Sequence, residues 1–374
     1  MSKLLSLFRE LAALPSPPGE ERAVADRVLA EVRSLGLEAD EDGVGERIGS
    51  TAGNILCRLE PTVEGQPLFF CAHLDTVPPE APIEPVVDDE GVVRNAAGTI
   101  LGADNKAAVA VMIEGVRRVL DEGRPHAGIE LLFTPKEEVG LVGAAAFDVQ
   151  RLVARIGYVY DMAAPIGTVI TAAPSSRKLD ILFHGRAAHS GMAPEEGRSA
   201  IAAAARAIAD FRLGRIDDET TANVGVVRGG SARNIVPEWC AVEAEARSLD
   251  DRKLADVVEE MLEAATFAAS LAECDVESEV EEVYRAYRFT RGDAPVLLAL
   301  AAFERISVEP RFQTTGGAAD ANVFNERGLQ CLNLANGMAE IHTRDEHISV
   351  ADLELMTDVT VALIDAARED GVAP

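Results

Sequence analysis

The apolar positions of this chain fall into two alternating periods. Leu4, Leu7, Phe8 and Leu11 recur at helical spacing and predict a first helix, which Pro15-Ser16-Pro17-Pro18-Gly19 terminates. Val24, Val28, Leu29, Val32 and Leu35 predict a second, ending near Gly36. Short apolar runs then predict strands at Asn54–Leu59, Leu68–Ala72, Ile129–Phe133 and Ile156–Tyr160, with a helix over Asn105–Leu120. Strands alternating with helices predict a layered α/β sheet.

The pattern changes after about Ala173. Leu179, Ile181 and Phe183 alternate on one face of a strand over Lys178–His184. An Ala-rich helix is expected over Glu195–Leu213, strands near Ala222–Arg228 and Cys240–Arg247, a helix over Asp251–Ala269 and a strand over Asp275–Val283. That order, β-α-β-β-α-β, is the ferredoxin-like arrangement. From Pro295 the helix–strand alternation returns, ending in an amphipathic helix over Leu353–Ala367. The expected organisation is an α/β domain of residues 1–174 and 285–374, interrupted by an inserted α+β domain of residues 175–284.

Composition narrows the function classes. Of 374 residues, 48% are hydrophobic, which excludes general disorder. Lys and Arg number 35 against 63 Asp and Glu, a net charge of −28. Such a field repels phosphate backbones and anionic lipid, and it suits a protein that handles cations. No apolar run reaches the ~18 residues of a spanning helix, so neither nucleic-acid nor membrane partners are expected. The cysteines are five, an odd number, and none form a CxxC pair, which argues against a disulfide framework and a structural thiolate zinc site. Arg9 and Glu10 interrupt the first apolar run, so it does not resemble a signal peptide. A reducing, cytoplasmic setting is expected.

The candidate chemistry lies at strand ends, where open α/β sheets bind ligands. The run Leu68–Ala72 leads into His73 and Asp75, Ile129–Phe133 into Glu137-Glu138, and Ile156–Tyr160 into Asp161. Cys331–Leu334 leads through Gly337 to His342, and Asp104 stands at an N-cap-like place before Asn105–Leu120. His, Asp and Glu suit Zn²⁺, Co²⁺ or Mn²⁺. Two His and three carboxylates suffice for two cations about 3.5–4 Å apart, leaving one carboxylate to move protons. Adjacent Glu137 and Glu138 diverge, so one can bind metal while the other stays a base. Each piece alone has a bland reading, as surface charge, helix cap or structural histidine. The repetition at successive strand ends sets these residues apart from pairs such as Glu195-Glu196 and Glu281-Glu282.

These segments resemble the cocatalytic dizinc exopeptidases, the family of aminoacylase, glutamate carboxypeptidase and peptidase T. His73-Leu74-Asp75-Thr76-Val77 resembles its HxDTV signature, Gly102-Ala103-Asp104-Asn105-Lys106 its bridging-aspartate motif, and Thr134-Pro135-Lys136-Glu137-Glu138-Val139-Gly140 its base-plus-ligand motif. Gly185-Arg186-Ala187-Ala188-His189-Ser190-Gly191 resembles the start of the family's lid domain. Gly229-Gly230-Ser231-Ala232-Arg233-Asn234-Ile235-Val236-Pro237 resembles that lid's second loop. Thr315-Gly316-Gly317-Ala318-Ala319-Asp320-Ala321-Asn322 and His342-Thr343-Arg344-Asp345-Glu346 resemble the peptidase T branch.

The resemblance implies roles. His73 and Asp161 would bind one metal, Glu138 and His342 the other, and Asp104 would bridge them. Asp75 would accept the second ring N–H of His73. Glu137 would be the general base for a water acidified between the cations, and His189 of the lid would stabilise the oxyanion. A cis peptide is expected at Asp104-Asn105. Arg247 would clamp a substrate carboxylate or form a surface ion pair; Asn234 would donate to substrate or shape a turn. Gly316 and Gly317 would let substrate approach the backbone. The lid helix would bury a homodimer interface or line its own sheet. The implied function is a metal-dependent exopeptidase acting on short peptides, an aminopeptidase carrying two divalent ions, zinc first and Co or Mn otherwise. A deacylase of N-acyl amino acids is the alternative. A non-catalytic relative would have lost a ligand or the base, and none is missing.

Overall fold

A computed structural model describes residues 2–369. The chain divides into two compact units. The first comprises Met1–Thr171, Arg288–Thr314 and Ala318–Pro374; the second comprises Ala172–Tyr287 and Thr315–Gly317.

In the first unit, Leu68–His73 lies between Ile129–Thr134 and Ile156–Val159, parallel to both. Gln330–Leu334 adds a fourth parallel strand beside Ile156–Val159. Ile55–Leu59 and then Glu38–Glu41 extend the other edge antiparallel. Leu68–His73 and Ile129–Thr134 are buried at every position, as strands covered on both faces must be. The long helix Ala103–Asp121 is buried over most of its circumference against this sheet and the terminal helix. His73 pairs with Thr134, so those two strands end level, while Ile156–Val159 ends opposite Cys71, two residues short of them; side chains at and just beyond these ends share one rim of the sheet.

A small antiparallel sheet of Pro85–Val87, Val92–Asn95 and His347–Ser349 was not expected. Its strands are three or four residues long, too short for a periodic signal. A second departure is at Asp104. The helix begins at Ala103, with Gly102 at φ 74 as its N-cap. Asp104 has extended, non-helical dihedrals just before the regular helix, and its carboxylate faces other partners. Asp104 and Asn105 interrupt the helix with ψ 103 and ψ 25, and the bond between them is cis, as expected.

The second unit is a five-stranded antiparallel sheet in the order Gly214–Arg215, Thr220–Gly229, Trp239–Ser248, Ser175–His184, Asp275–Tyr284. Helices Ala200–Asp210 and Asp251–Leu271 pack on it. Trp239–Ser248 alternates outward and buried residues, with Cys240, Val242, Ala244 and Ala246 inward. The Ala-rich helix is shorter than the predicted Glu195–Leu213. A separate turn covers Pro194–Glu196, and Ser199 caps the helix by accepting from the Ala202 N–H at 3.2 Å. Ala200, Ala203, Ala204 and Ala207 are buried in the unit's own core, while Ile201 is exposed.

Gly157 shows how tightly the first sheet is covered. A Cβ there would lie 2.2 Å from the Phe69 ring, which is itself edge-on to Phe324 at 5.4 Å. Replacing Gly157 by Ala is expected to cost about 1–3 kcal/mol. Urea unfolding is the measurement, and an unchanged midpoint would contradict this packing.

Candidate metal centre

The level strand ends bring the predicted residues together. His73 is the last residue of its strand and is buried. Its Nδ1 donates to the backbone carbonyl of Asp75 at 2.9 Å, and its Nε2 faces the site and the Asp104 carboxylate. The Asp75 carboxylate, expected to take this proton, has its Oδ1 3.5 Å from Nδ1, farther than the carbonyl. That carboxylate instead accepts the backbone N–H of Glu137 at 3.0 Å and of Glu138 at 3.1 Å, one on each oxygen. The chain reaches these N–H groups through Lys136 at φ 58.

Asp104 is the centre of the arrangement. Its Oδ1 lies 3.2 Å from His73 Nε2 and its Oδ2 lies 3.2 Å from His342 Nε2. Glu138 Oε1 is 3.1 Å from His342 Nε2, and Asp161 Oδ1 is 3.8 Å from His73 Nε2. Donor atoms of His73, Asp104 and Glu138 lie within 4.8 Å of one another, as do those of His73, Glu137 and Asp161. One carboxylate thus faces two imidazoles, each with a further carboxylate beside it.

The electrostatics fit a cation site. Burial and the charge of Asp104 push the Asp161 carboxyl up to about 7. Burial and the neighbouring Asp161 push Glu137 well above the usual range. For Asp104 burial acts upward too, but the hydrogen bonds to His342 and His73 outweigh it and hold the carboxyl low. Bonds to Asp104 and Glu138 push His342 up to about 10. Burying this many carboxylates beside two imidazoles leaves negative charge uncompensated, and divalent cations would compensate it.

Several supporting residues carried no role in the sequence reading. The Glu346 carboxylate accepts the N–H of Leu101 at 2.7 Å, Gly102 at 2.8 Å and Asp104 at 2.9 Å, and so fixes the loop that presents Asp104. Asn333 bonds the backbone of Asp161 twice, each at 3.0 Å. Its signal was a polar residue inside the apolar run Cys331–Leu334. Asp320 accepts from Thr134 Oγ1 at 2.5 Å, and burial pushes its carboxyl up to about 6. Lys106 is fully buried and donates to the Leu14 carbonyl.

His189, Asn234, Arg247, Gly316 and Gly317 are carried by the second unit. His189 is exposed, and its Nδ1 accepts from the Gly191 N–H at 3.2 Å, so its proton sits on Nε2 as a donor. The neighbouring segments are tied by Ser190 N–H to the Asn234 carbonyl at 3.0 Å. Arg247 pairs with Glu245 at 3.0 Å and reaches the Gly316 carbonyl at 3.4 Å. A Cβ on Gly316 would meet nothing within 4 Å, so packing in this unit does not require glycine there.

Residues 172–270 match the model of the peptidase dimerisation domain, and residues 54–183 that of peptidase family M28. The aminopeptidase PepT of Bacillus cereus is 39% identical, with a TM-score of 0.88 and 98% of each chain covered. A tripeptidase of Staphylococcus aureus is 33% identical, with a TM-score of 0.93 and 98% of each chain covered. Peptidase T of Vibrio parahaemolyticus is 26% identical over 96% of this chain and 95% of its own.

Two measurements test the centre. His342, raised from 6.5 to about 10, carries a proton at neutral pH when no cation is bound. A ligating imidazole must lose that proton, so metal binding is expected to release protons and to strengthen as pH rises toward 10. Calorimetry in buffers of different protonation enthalpy reads this, and buffer-independent heats would contradict it. Glu346→Ala is expected to weaken metal binding about 10–100-fold in a chelator competition.

Proposed function

Because the chain belongs to the dinuclear metal-dependent exopeptidases that include PepT, we propose that it is an aminopeptidase releasing single residues from short peptides. The observation that carries the chemistry is the Asp104 carboxylate, each oxygen of which stands 3.2 Å from a different imidazole. Likeness to an aminopeptidase at 39% identity over 98% of the chain supports peptides over acylated amino acids as substrate.

In this reading His73 and Asp161 would hold one ion, Glu138 and His342 the other, with Asp104 available to both. Two divalent cations there would bring a water's pKa near neutrality and polarise the scissile carbonyl. The mixed nitrogen and oxygen donor set supports zinc, with Co or Mn as substitutes. Glu137 takes a proton from the attacking water and returns it to the leaving nitrogen. Its backbone and that of Glu138 hang on one carboxylate, Asp75, so base and ligand are positioned together. His189, as an Nε2–H donor, is assigned to the developing oxyanion. Asn234 and Arg247 are assigned to the peptide's carboxylate end, with Gly316 and Gly317 leaving room for its backbone.

The match of residues 172–270 to a dimerisation domain supports a homodimer through the second unit. Five free cysteines support a reducing, cytoplasmic setting. Among the described residues no helix is long and apolar enough to cross a membrane.

The test is a di- and tripeptide library offered to metal-stripped protein with and without Zn²⁺, Co²⁺ or Mn²⁺, read by mass spectrometry. Loss of single amino-terminal residues only after metal is restored is expected. Cleavage of N-acetyl or N-succinyl amino acids instead, with peptides untouched, would move the assignment to a deacylase. Glu137→Gln is expected to lose roughly 10²–10⁴-fold in kcat while still binding two metal ions.

A further inference from the structure

One recess of the first unit shares a wall with the metal centre, yet the hydrolytic mechanism gives it no role. Its volume is about 410 Å³, within the range of small-ligand sites. Val77, Pro78 and Ile100 give it apolar lining, His342 forms part of its wall, and Glu80 and Arg344 bring opposite charges. The loops that build it are the ones that present the centre. The first continues from His73 and Asp75, the second leads into Asp104, and the third carries His342. The Glu80 N–H is tied to Thr99 Oγ1 at 2.9 Å, which joins the first two loops.

Arg344 and Glu80 are both exposed. Among the described residues, neither side chain makes a hydrogen bond or ion pair with the protein. A guanidinium without a partner is available to a carboxylate, which it can meet bidentately. A free carboxylate opposite it is available to an ammonium.

In an aminopeptidase the attacked carbonyl belongs to the residue that carries the free amine. That residue's side chain leaves the carbon next to the carbonyl, so it must lie beside the metal ligands. A recess walled by the ligand His342 is within that reach. We propose that this recess is the subsite for the side chain of the substrate's amino-terminal residue, with Arg344 and Glu80 setting which charged side chains it accepts. The apolar lining takes the aliphatic stem; Arg344 draws acidic tips and Glu80 basic ones. The proposal rests on the aminopeptidase reading. It goes beyond that reading in naming the residues that set specificity.

The experiment compares kcat/KM of metal-loaded wild type, Arg344→Glu and Glu80→Gln on tripeptides that differ only in their first residue, Glu or Lys. The same exchange at the second residue is the control. Arg344→Glu is expected to lower the Glu-to-Lys preference at the first position by about tenfold, and Glu80→Gln to raise it by about threefold. The second-position ratio should stay within a factor of two or so. Both variants lie on exposed loops, and unchanged metal content and melting temperature report intact folding. Ratios that do not move, or that move only at the second position, overturn the subsite while leaving the aminopeptidase intact. Wild-type protein that cleaves N-acyl amino acids and no tripeptide overturns both.

Discussion

The structure of the first unit depends on one shared contact: two imidazoles placed 3.2 Å from opposite oxygens of the buried Asp104 carboxylate. A carboxylate cannot be buried without compensation. Here His73, His342 and, when bound, the cations supply it. The placement is secured indirectly. Glu346 takes three N–H groups of one loop, including that of Asp104. Glu346 is in turn set beside that loop because His347–Ser349 pairs with Val92–Asn95. A three-residue strand thus anchors the loop that presents Asp104.

The parallel sheet explains why these groups meet at all. Parallel strands finish at the same edge, so residues far apart in sequence arrive at one level. Thr134 and His73 are register partners, and Glu137 follows within one turn of chain. Gly157 and Phe69 matter here because they fill the layer beneath. A shift of one strand by a single residue would move His73 to the opposite face of the sheet.

Much of this was legible in the chain. The four apolar runs ending in His73, Glu137-Glu138, Asp161 and His342 are visible because buried parallel strands read as continuous apolar segments. The β-α-β-β-α-β order was legible from alternation, as in Trp239–Ser248. What was not legible depended on contacts between distant residues. The partner of His73 Nδ1 is a backbone carbonyl, which has no side-chain signature. Glu346 looks like one acidic residue among many until its three backbone donors are seen. The length of the Ala-rich helix was overestimated because alanine favours helix wherever it occurs, while Gly197 and Ser199 set its actual start.

Asp75 shows how the fold ties neighbouring strand ends together. Its carboxylate accepts the N–H of Glu137 on one oxygen and of Glu138 on the other, so both backbone positions are held at once. Lys136, at φ 58, leads the chain into the turn that presents both N–H groups. The backbone carbonyl of Asp75 orients His73, so the end of one strand and the loop after the next are held by a single residue. A centre built this way gains precision from neighbouring strands rather than from the flexible side chains that do the chemistry.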